Sequence, residues 1–370
     1  MSPPLRPARS ESSERAGADP RGVGSTNRER VWARLGRSVR IRLALLVLAC
    51  FATLGLFADF VAADAPWLAI GPAGVKVFPA IVSPASYRGL GAAEIAERHA
   101  RDWALWPLLR SGPETLARVG PNAAPSRQHP LGTDALGRDV CARLVHGARH
   151  ALGFALGVLL GALLLGGALG AMAGYRGGIW DELLSRPIEL VEAFPQVLVV
   201  AVARALDPSG SVLALGLAVV AVRWAEMARL VRAEVLRLGS EEFVLAARAL
   251  GCSRRRIVLR HMLPNALGPI VVSSSFAFAS VVLLEVAASF LGLGVRGSWG
   301  VLIADGLTGR APLGATIGAA LALGLLVGAA HLLGDALGEL CDARVATTRA
   351  ARTRPARALA SAARERAAAR

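Results

Sequence analysis

Six apolar stretches, each long enough to cross a membrane as a helix, constrain the fold of this 370-residue chain more than any other feature. They cover residues 41–63, 150–173, 187–205, 211–230, 266–290 and 314–335. About 20 apolar residues in a helix span the roughly 30 Å hydrocarbon layer. The stretches lack the alternation of a membrane barrel, and an open sheet would leave unpaired backbone groups in lipid. We therefore predict an all-α polytopic membrane protein with six transmembrane helices.

The segments outside these spans differ in composition. Residues 1–40 are rich in Arg, Ser, Pro and Gly and poor in large apolar side chains, which predicts a disordered tail. Residues 64–149 carry both charge signs, several tryptophans and several prolines, and we interpret them as an extramembrane segment. The five later spans form a core over 150–340, and a basic tail follows over 341–370.

Arginine is concentrated in three segments. Ten arginines lie in the N-terminal tail up to Arg42, eight between Arg229 and Arg260, and eight between Arg344 and Arg370. Cytoplasmic loops carry such an excess, and six spans put both tails and the middle loop on one side. Both termini are therefore predicted to be cytoplasmic, with 64–149 outside. The same bias accounts for the net charge of +15, so we expect no nucleic-acid partner.

The arginine-rich insert between the fourth and fifth spans is predicted to contact something outside the bilayer. Helix formers run from Glu241 to Leu250, and Gly251 stands where a helix ends in a left-handed residue. Ser253 is a candidate cap for a second helix that starts with three arginines, 254–256. Those cations oppose the helix dipole, so we expect lipid phosphates or acidic groups of a partner near them. Pro264 is expected to close the unit and to start the fifth span.

This insert resembles the cytoplasmic loop of the transmembrane permease subunits of binding-protein-dependent ABC importers. That loop contains Glu-Ala-Ala, three residues, Gly, nine residues and Ile-x-Leu-Pro. The matching residues here are Ala246, Ala247, Gly251, Leu263 and Pro264. Leu245 replaces the first Glu, for which Glu242 one turn earlier is a candidate substitute. His261 replaces Ile and fits the dipeptide and oligopeptide branch of the family.

Further segments in the same order resemble that branch. They are HPLGTDALGRDVCARLVHGAR (129–149), AGYRGGIWDELLSRPIELVEAFP (173–195), ASFLGLGV (288–295), SWGVLIADG (298–306) and LLGDALGELCDAR (332–344). The long external segment is also similar to the subgroup associated with microcin C and larger peptides.

The resemblance implies the type I importer permease fold in a bacterial inner membrane. It implies a second homologous permease, two ATPase subunits that use the ATP, an extracytoplasmic solute-binding protein and surrounding membrane lipid, with no cofactor in this chain. The loop 231–264 would couple to the ATPase through Glu242, Ala246, Ala247, Gly251, Arg254, Arg255, Arg256, His261, Leu263 and Pro264. The solute would be a peptide, or nickel or another metal chelate, which the same branch also imports.

Ionisable residues inside the spans are candidate functional groups because their burial is costly. Glu285 is expected either to form an ion pair or to line a pathway, and we favour the pair. Glu189 and Glu192 share a face and are expected to meet Arg186 or arginines of the fourth span. His331 has no second ligand nearby in sequence and is interpreted as a packing residue.

Other classes of protein fit the sequence less well. The chain lacks a Walker A motif and the HExxH and GxSxG motifs, so we expect no enzyme activity. Its four cysteines are far apart and predict neither disulfides nor a metal site. A channel or secondary transporter would not explain the insert. Glycines of the second span, at 157, 161, 166, 167 and 170, favour close helix contact, either inside the bundle or at a dimer face.

Overall fold

The computed structural model describes residues 39–71, 74–78, 92–100, 102–117 and 119–368, so the predicted tail over 1–40 lies outside it except for two residues. The helices are α1 (Val39–Leu56), α2 (Ala58–Val61), α3 (Ala92–Arg98), α4 (Val140–Arg176), α5 (Ile179–Ala193), α6 (Gln196–Leu206), α7 (Val212–Gly239), α8 (Glu242–Ala249), α9 (Arg254–Phe290), α10 (Trp299–Leu307) and α11 (Leu313–Ala368). The strands are β1 (Leu68–Gly71), β2 (Gly74–Val77) and β3 (Trp103–Leu105).

Four helices in the described part of the chain are long and apolar enough to cross a membrane. They are α1, α4, α9 and the Leu313–Cys341 part of α11. Helix α7 is also long, but Arg223, Glu226 and Arg229 interrupt its apolar sequence. The molecule is thus a mostly helical, multi-pass membrane protein.

The third predicted span, 187–205, is wrong as a single helix. Helix α5 ends at Ala193, and Phe194 and Pro195 have extended backbone before α6 starts at Gln196. Proline has no N–H to donate and disfavours helical geometry at the residue before it, which explains the break at Phe194.

The second predicted span lies inside a longer helix. Helix α4 begins at Val140, ten residues before the predicted start. The carboxylate of Asp139 accepts a hydrogen bond from the backbone N–H of Ala142 at 2.8 Å and so caps the first turn. The helix therefore includes the end of the segment predicted as 64–149.

The all-α prediction is wrong for the segment 64–149, because it contains a small antiparallel sheet in the order β2-β1-β3. Ala69 at the centre of β1 lies opposite Lys76 and Ala104. Strands of three or four residues are too short to show a period in the sequence. The sheet lies outside the four long apolar helices. Its open edges therefore do not require unpaired backbone groups to be exposed to lipid.

The glycines of α4 pack mainly inside the bundle. A methyl group at Gly166 or Gly170 would lie 2.3 Å from a carbonyl oxygen of α7, and one at Gly161 would lie 2.9 Å from an α7 side chain. At Gly157 and Gly167 an added methyl would meet nothing within 4 Å. Three of the five glycines thus bring α4 and α7 together, and two face open space.

Two apolar clusters organise the helices. The larger joins α4, α9, α10 and α11 and includes Phe154, Phe278 and Trp299. A second cluster lies where α7 ends and α9 begins, and it includes Val231, Ile257 and Met262. The insert between the fourth and fifth predicted spans is built on this second cluster.

Candidate functional site

One face of helix α8, the first part of the insert, packs against the rest of the molecule. Val244 and Ala247, one turn apart, are buried beside Val235 and Leu238 of α7 and Met262 of α9. Burial of one stripe of apolar residues fixes the orientation of a helix that is otherwise too short to be stable alone. The remaining faces of α8 are therefore presented in a defined direction.

The outward face of α8 carries apolar side chains that the molecule leaves exposed. Phe243, Ala246 and Leu250 recur at i, i+3 and i+7 and are exposed, Leu250 by 83%. Leu245 is half exposed, and Glu242 lies one turn before it on the surface. A stripe with this spacing is typical of a helix that lies in the groove of a partner protein.

The turn after α8 has the predicted left-handed geometry at Gly251, where φ is +76°. Its N–H donates to the carbonyl of Arg248 at 3.0 Å, and the N–H of Cys252 donates to that of Ala247 at 3.1 Å. A methyl group on Gly251 would meet nothing within 4 Å. The backbone angle, rather than lack of space, is what favours glycine here.

The predicted cap of the next helix is confirmed. The side-chain oxygen of Ser253 accepts a hydrogen bond from the N–H of Arg256 at 3.4 Å. Arg254, Arg255 and Arg256 are all exposed, and no described carboxylate forms an ion pair with them. Three exposed cations at the positive end of a helix dipole, without a described acidic partner, make this turn a strongly attractive surface for anions.

The prediction that Pro264 starts the fifth span agrees with the regular α-helix, which begins at Leu263 with a proline in its first turn, but the helical backbone already starts at Arg254, so Pro264 does not separate the insert from the span. Residues Ile257–Met262 form a turn of π-helix, and the N–H of Leu263 donates to the carbonyl of Val258, five residues earlier. Pro264 has no N–H and would crowd the carbonyl four residues before it, and the wider π turn accommodates this. The fifth span is therefore continuous with the basic turn.

His261 lies inside the π turn and is partly buried, as is Leu263, whereas Pro264 is exposed. The carbonyl of His261 accepts a hydrogen bond from Nδ2 of Asn265 at 2.6 Å. Of the residues predicted for the site, Glu242, Ala246 and Ala247 lie on α8, Gly251 lies in the turn, and the other six lie within the first turns of α9.

Two contacts connect the insert to the turn between α4 and α5. The guanidinium of Arg248 lies 5.1 Å from the ring centre of Tyr175, at the end of α4. Asp181 of α5 accepts two hydrogen bonds from Arg232 of α7, the one from Nη2 at 2.7 Å. Hydrogen bonds from Arg232 lower the pKa of the Asp181 carboxyl below its ordinary value, because they stabilise the ionised form.

Glu285 is buried in α9, with 2% of its surface exposed, and has several partners. Its Oε1 lies 3.2 Å from Nε2 of His150 and accepts a hydrogen bond from Ser289 at 2.8 Å. Its Oε2 accepts one from Ser298 at 3.1 Å. The partner of Glu285 in the expected pair is therefore His150 of α4, which carries a positive charge only when its ring is protonated. Sequence analysis did not identify this partner.

The other ionisable residues have local partners. Arg186 lies 3.4 Å from Glu189, and Arg229 of α7 pairs with Glu192. Nδ1 of His331 lies 2.9 Å from the backbone carbonyl one turn earlier. Among the described residues no three His, Cys, Asp or Glu side chains are grouped as metal ligands.

A buried ionic network around Arg143, near the start of α4, was missed by sequence analysis. Arg143 of α4 lies 2.6 Å from Asp134 and 3.3 Å from Asp305 of α10, and all three are largely buried. Nearby, Nδ1 of His129 lies 2.5 Å from Asp139. The segments 129–149 and 298–306 both carry the family resemblance, and this network shows that they lie against each other.

Comparisons with known proteins match residues 166–347 to the family described as binding-protein-dependent transport system inner membrane component. The chain is 36% identical over 206 residues to the dipeptide transport system permease protein DppC of Alkalihalophilus pseudofirmus, covering 54% of this chain and 66% of that protein. It is 37% identical over 186 residues to the oligopeptide transport system permease protein OppC of Bacillus subtilis, covering 50% and 61%.

A protein of Brucella suis, provisionally named as a peptide transport system permease protein, is 36% identical over 231 residues, covering 60% of this chain and 75% of that protein. The matches to the first two relatives thus span less than two thirds of those proteins' lengths. The matched family region, 166–347, includes α8, the turn at Gly251 and all of α9.

Proposed function

Because the chain belongs to the family of inner membrane components of binding-protein-dependent transport systems, we propose that it is a permease subunit of an ATP-driven peptide importer and that α8 docks on an ATPase subunit. The docking proposal rests on one observation: one face of α8 is buried against the molecule, and the opposite apolar face is exposed. Val244 and Ala247 fix it from within, and the exposed stripe of Phe243, Ala246 and Leu250 faces outward.

The partners follow from this role. A second homologous permease completes the pathway, two ATPase subunits bind and hydrolyse ATP, and an extracytoplasmic solute-binding protein delivers the solute. The chain itself holds no cofactor and is not an enzyme. Movement of the ATPase pair would shift α8, and the helices packed on it would then exchange between inward-open and outward-open arrangements.

The proposed topology has six crossings in a bacterial inner membrane with both termini in the cytoplasm. The crossings are α1, α4, α5 with α6, α7, α9 and the first part of α11. The interrupted crossing at Phe194 and Pro195 is of the kind that transporters tolerate where backbone lines a cavity. The small sheet and the network around Arg143 then lie outside, where the binding protein arrives.

The names of the relatives support a peptide as the solute rather than nickel or another metal chelate. The long external segment fits the subgroup for microcin C and larger peptides. A secondary transporter or a channel would leave the exposed stripe of α8 without a partner, which is why we favour the importer.

The docking proposal is tested by Leu250→Asp. Leu250 is 83% exposed, so a carboxylate there disturbs no packing but places a charge in the proposed contact. We expect normal membrane insertion, loss of ATPase subunits from the purified complex by roughly tenfold or more, and loss of uptake. The readout is the amount of ATPase that is isolated with the tagged permease.

The matched control is Leu108→Asp, at an equally exposed leucine, 85%, in the external segment. It should leave ATPase association unchanged. If Leu250→Asp retains the ATPase as well as the control does, α8 is not the docking element.

A further inference from the structure

A groove runs between α4 and α9 beside the basic turn. Its volume is about 730 Å³, and it is lined on one side by Leu163, Gly167 and Ala171 and on the other by Val258, Leu263 and Ile270. It is therefore within the size range of ligand sites, and its walls are apolar along most of their length.

One end of the groove is basic. Arg254 and Arg255 line it from α9 and Arg176 lines it from α4. All three are exposed, and none forms an ion pair with a described carboxylate. Arg176 lies 4.8 Å from the ring centre of Trp180, and Tyr175 also lines the groove. Tryptophan and tyrosine beside arginine are typical of the headgroup level of a membrane.

The groove has the length of one leaflet. From Leu163 to Arg176 the helix rises about 20 Å at 1.5 Å per residue, compared with about 15 Å for half of the hydrocarbon layer. An apolar channel of that length, with cations only at the interfacial end, matches the shape and charge of a phospholipid with an anionic headgroup.

We infer that this groove is a binding site for one anionic phospholipid of the cytoplasmic leaflet, with its phosphate at Arg254, Arg255 and Arg176 and an acyl chain along Gly167. Assignment to the cytoplasmic leaflet rests on the orientation proposed above. Because Arg254 and Arg255 follow directly after the turn at Gly251, the bound lipid would hold the start of α9 at the membrane surface. The lipid would thereby set the position from which α8 reaches its partner.

The test uses the full chain in nanodiscs that contain equal amounts of phosphatidylglycerol and phosphatidylcholine, followed by native mass spectrometry of the lipid that stays bound. We expect retained phosphatidylglycerol on the unmodified chain. The double variant Arg254→Gln/Arg255→Gln should reduce that retention by roughly tenfold or more, since each arginine near the surface contributes to anionic lipid attraction. Added glycerol phosphate, which has no acyl chain, should not displace the lipid.

The matched control is Arg256→Gln/Arg260→Gln, which removes the same charge from exposed residues outside the groove lining. It should retain the lipid. An equal loss in both double variants would overturn the site, because it would show only general attraction to a basic surface.

A second variant tests the apolar part without changing charge. A methyl group at Gly167 meets nothing within 4 Å, so Gly167→Leu should fold and fill the groove. We expect loss of bound phosphatidylglycerol. Unchanged lipid would overturn the inference. If Gly167→Leu also loses the second permease when the complex is purified from cells, the groove is a contact between permeases instead. These readouts need no ATPase, so failure here is distinguishable from failure of the docking proposal.

Discussion

At Gly251 one backbone angle determines how α8 and α9 meet. The φ of +76° is rarely adopted by residues with a Cβ, and the position is otherwise open. We predict that Gly251→Val costs about 1–2 kcal/mol in the local turn, because a β-branched residue resists the left-handed region. ATPase association and uptake should fall while the protein still inserts into the membrane.

Gly251→Asn is the control for this prediction, because asparagine tolerates the left-handed conformation better than other residues. It should retain most of the association measured by co-purification. Equal damage from Val and Asn would indicate that a partner needs the empty space at Gly251, and normal function of both would show that the turn geometry is not required.

Residues close in sequence were predicted well. The left-handed glycine and the Ser253 cap follow from rules that involve only four or five neighbouring residues. Two other pairs join residues more than a hundred positions apart, namely Arg143 with Asp305 and His150 with Glu285. The residue types alone do not indicate which acid will meet which base. For this reason Glu285 was recognised as important while its partner was not.

At the scale of elements, the start of α5 and the last part of α7 are joined by the ion pair of Asp181 and Arg232. Both side chains are about three quarters buried, and the pair has two hydrogen bonds. We predict that Asp181→Asn lowers the stability of the purified chain by about 1 kcal/mol at neutral pH, measured as a lower melting temperature.

The pH dependence of this pair has a defined sign. Because the pKa of Asp181 is lowered in the folded protein, its stabilising contribution is complete above the unfolded value of about 4 and is lost as the pH falls through the folded value. The difference in melting temperature between the unmodified chain and Asp181→Asn should therefore shrink below about pH 4. A difference that stays constant on acidification would contradict the ion pair as its source.

Element boundaries were predicted less reliably than element types. At Pro264 regular α-helix begins as predicted, but a π turn joins it to the residues before it, whereas Pro195 interrupts a stretch predicted as one helix. The same residue type gives both outcomes because its effect depends on whether the neighbouring carbonyls find other partners. The three short strands were missed because they are shorter than any recognisable period.

At the scale of the whole molecule, the number of crossings is the main test of the proposed topology. Between the external segment and the insert, the chain would cross through α4, through α5 with α6, and through α7. Three crossings put Leu108 and Leu250 on opposite sides of the membrane. If α5 and α6 together fail to cross, the two residues lie on the same side.

We predict opposite sides, measured with Leu108→Cys and Leu250→Cys in a background in which the four native cysteines are replaced by serine. A membrane-impermeant maleimide applied to cells with a permeabilised outer membrane should label the first and not the second. Labelling of the second should require lysis. Labelling of both before lysis would exclude six crossings.

The unbroken course of α9 has a mechanical consequence. The helix begins at the arginines beside α8 and carries Glu285 near its other end, roughly 45 Å away at 1.5 Å per residue. If a straight helix of that length tilts by about 5° about its N-terminal end, its far end moves by roughly 4 Å. A displacement of that size exceeds the reach of a hydrogen bond, so we expect tilting of α9 relative to α4 to separate Glu285 from His150. The continuous helix thus connects the position of the insert directly to the buried pair at its other end.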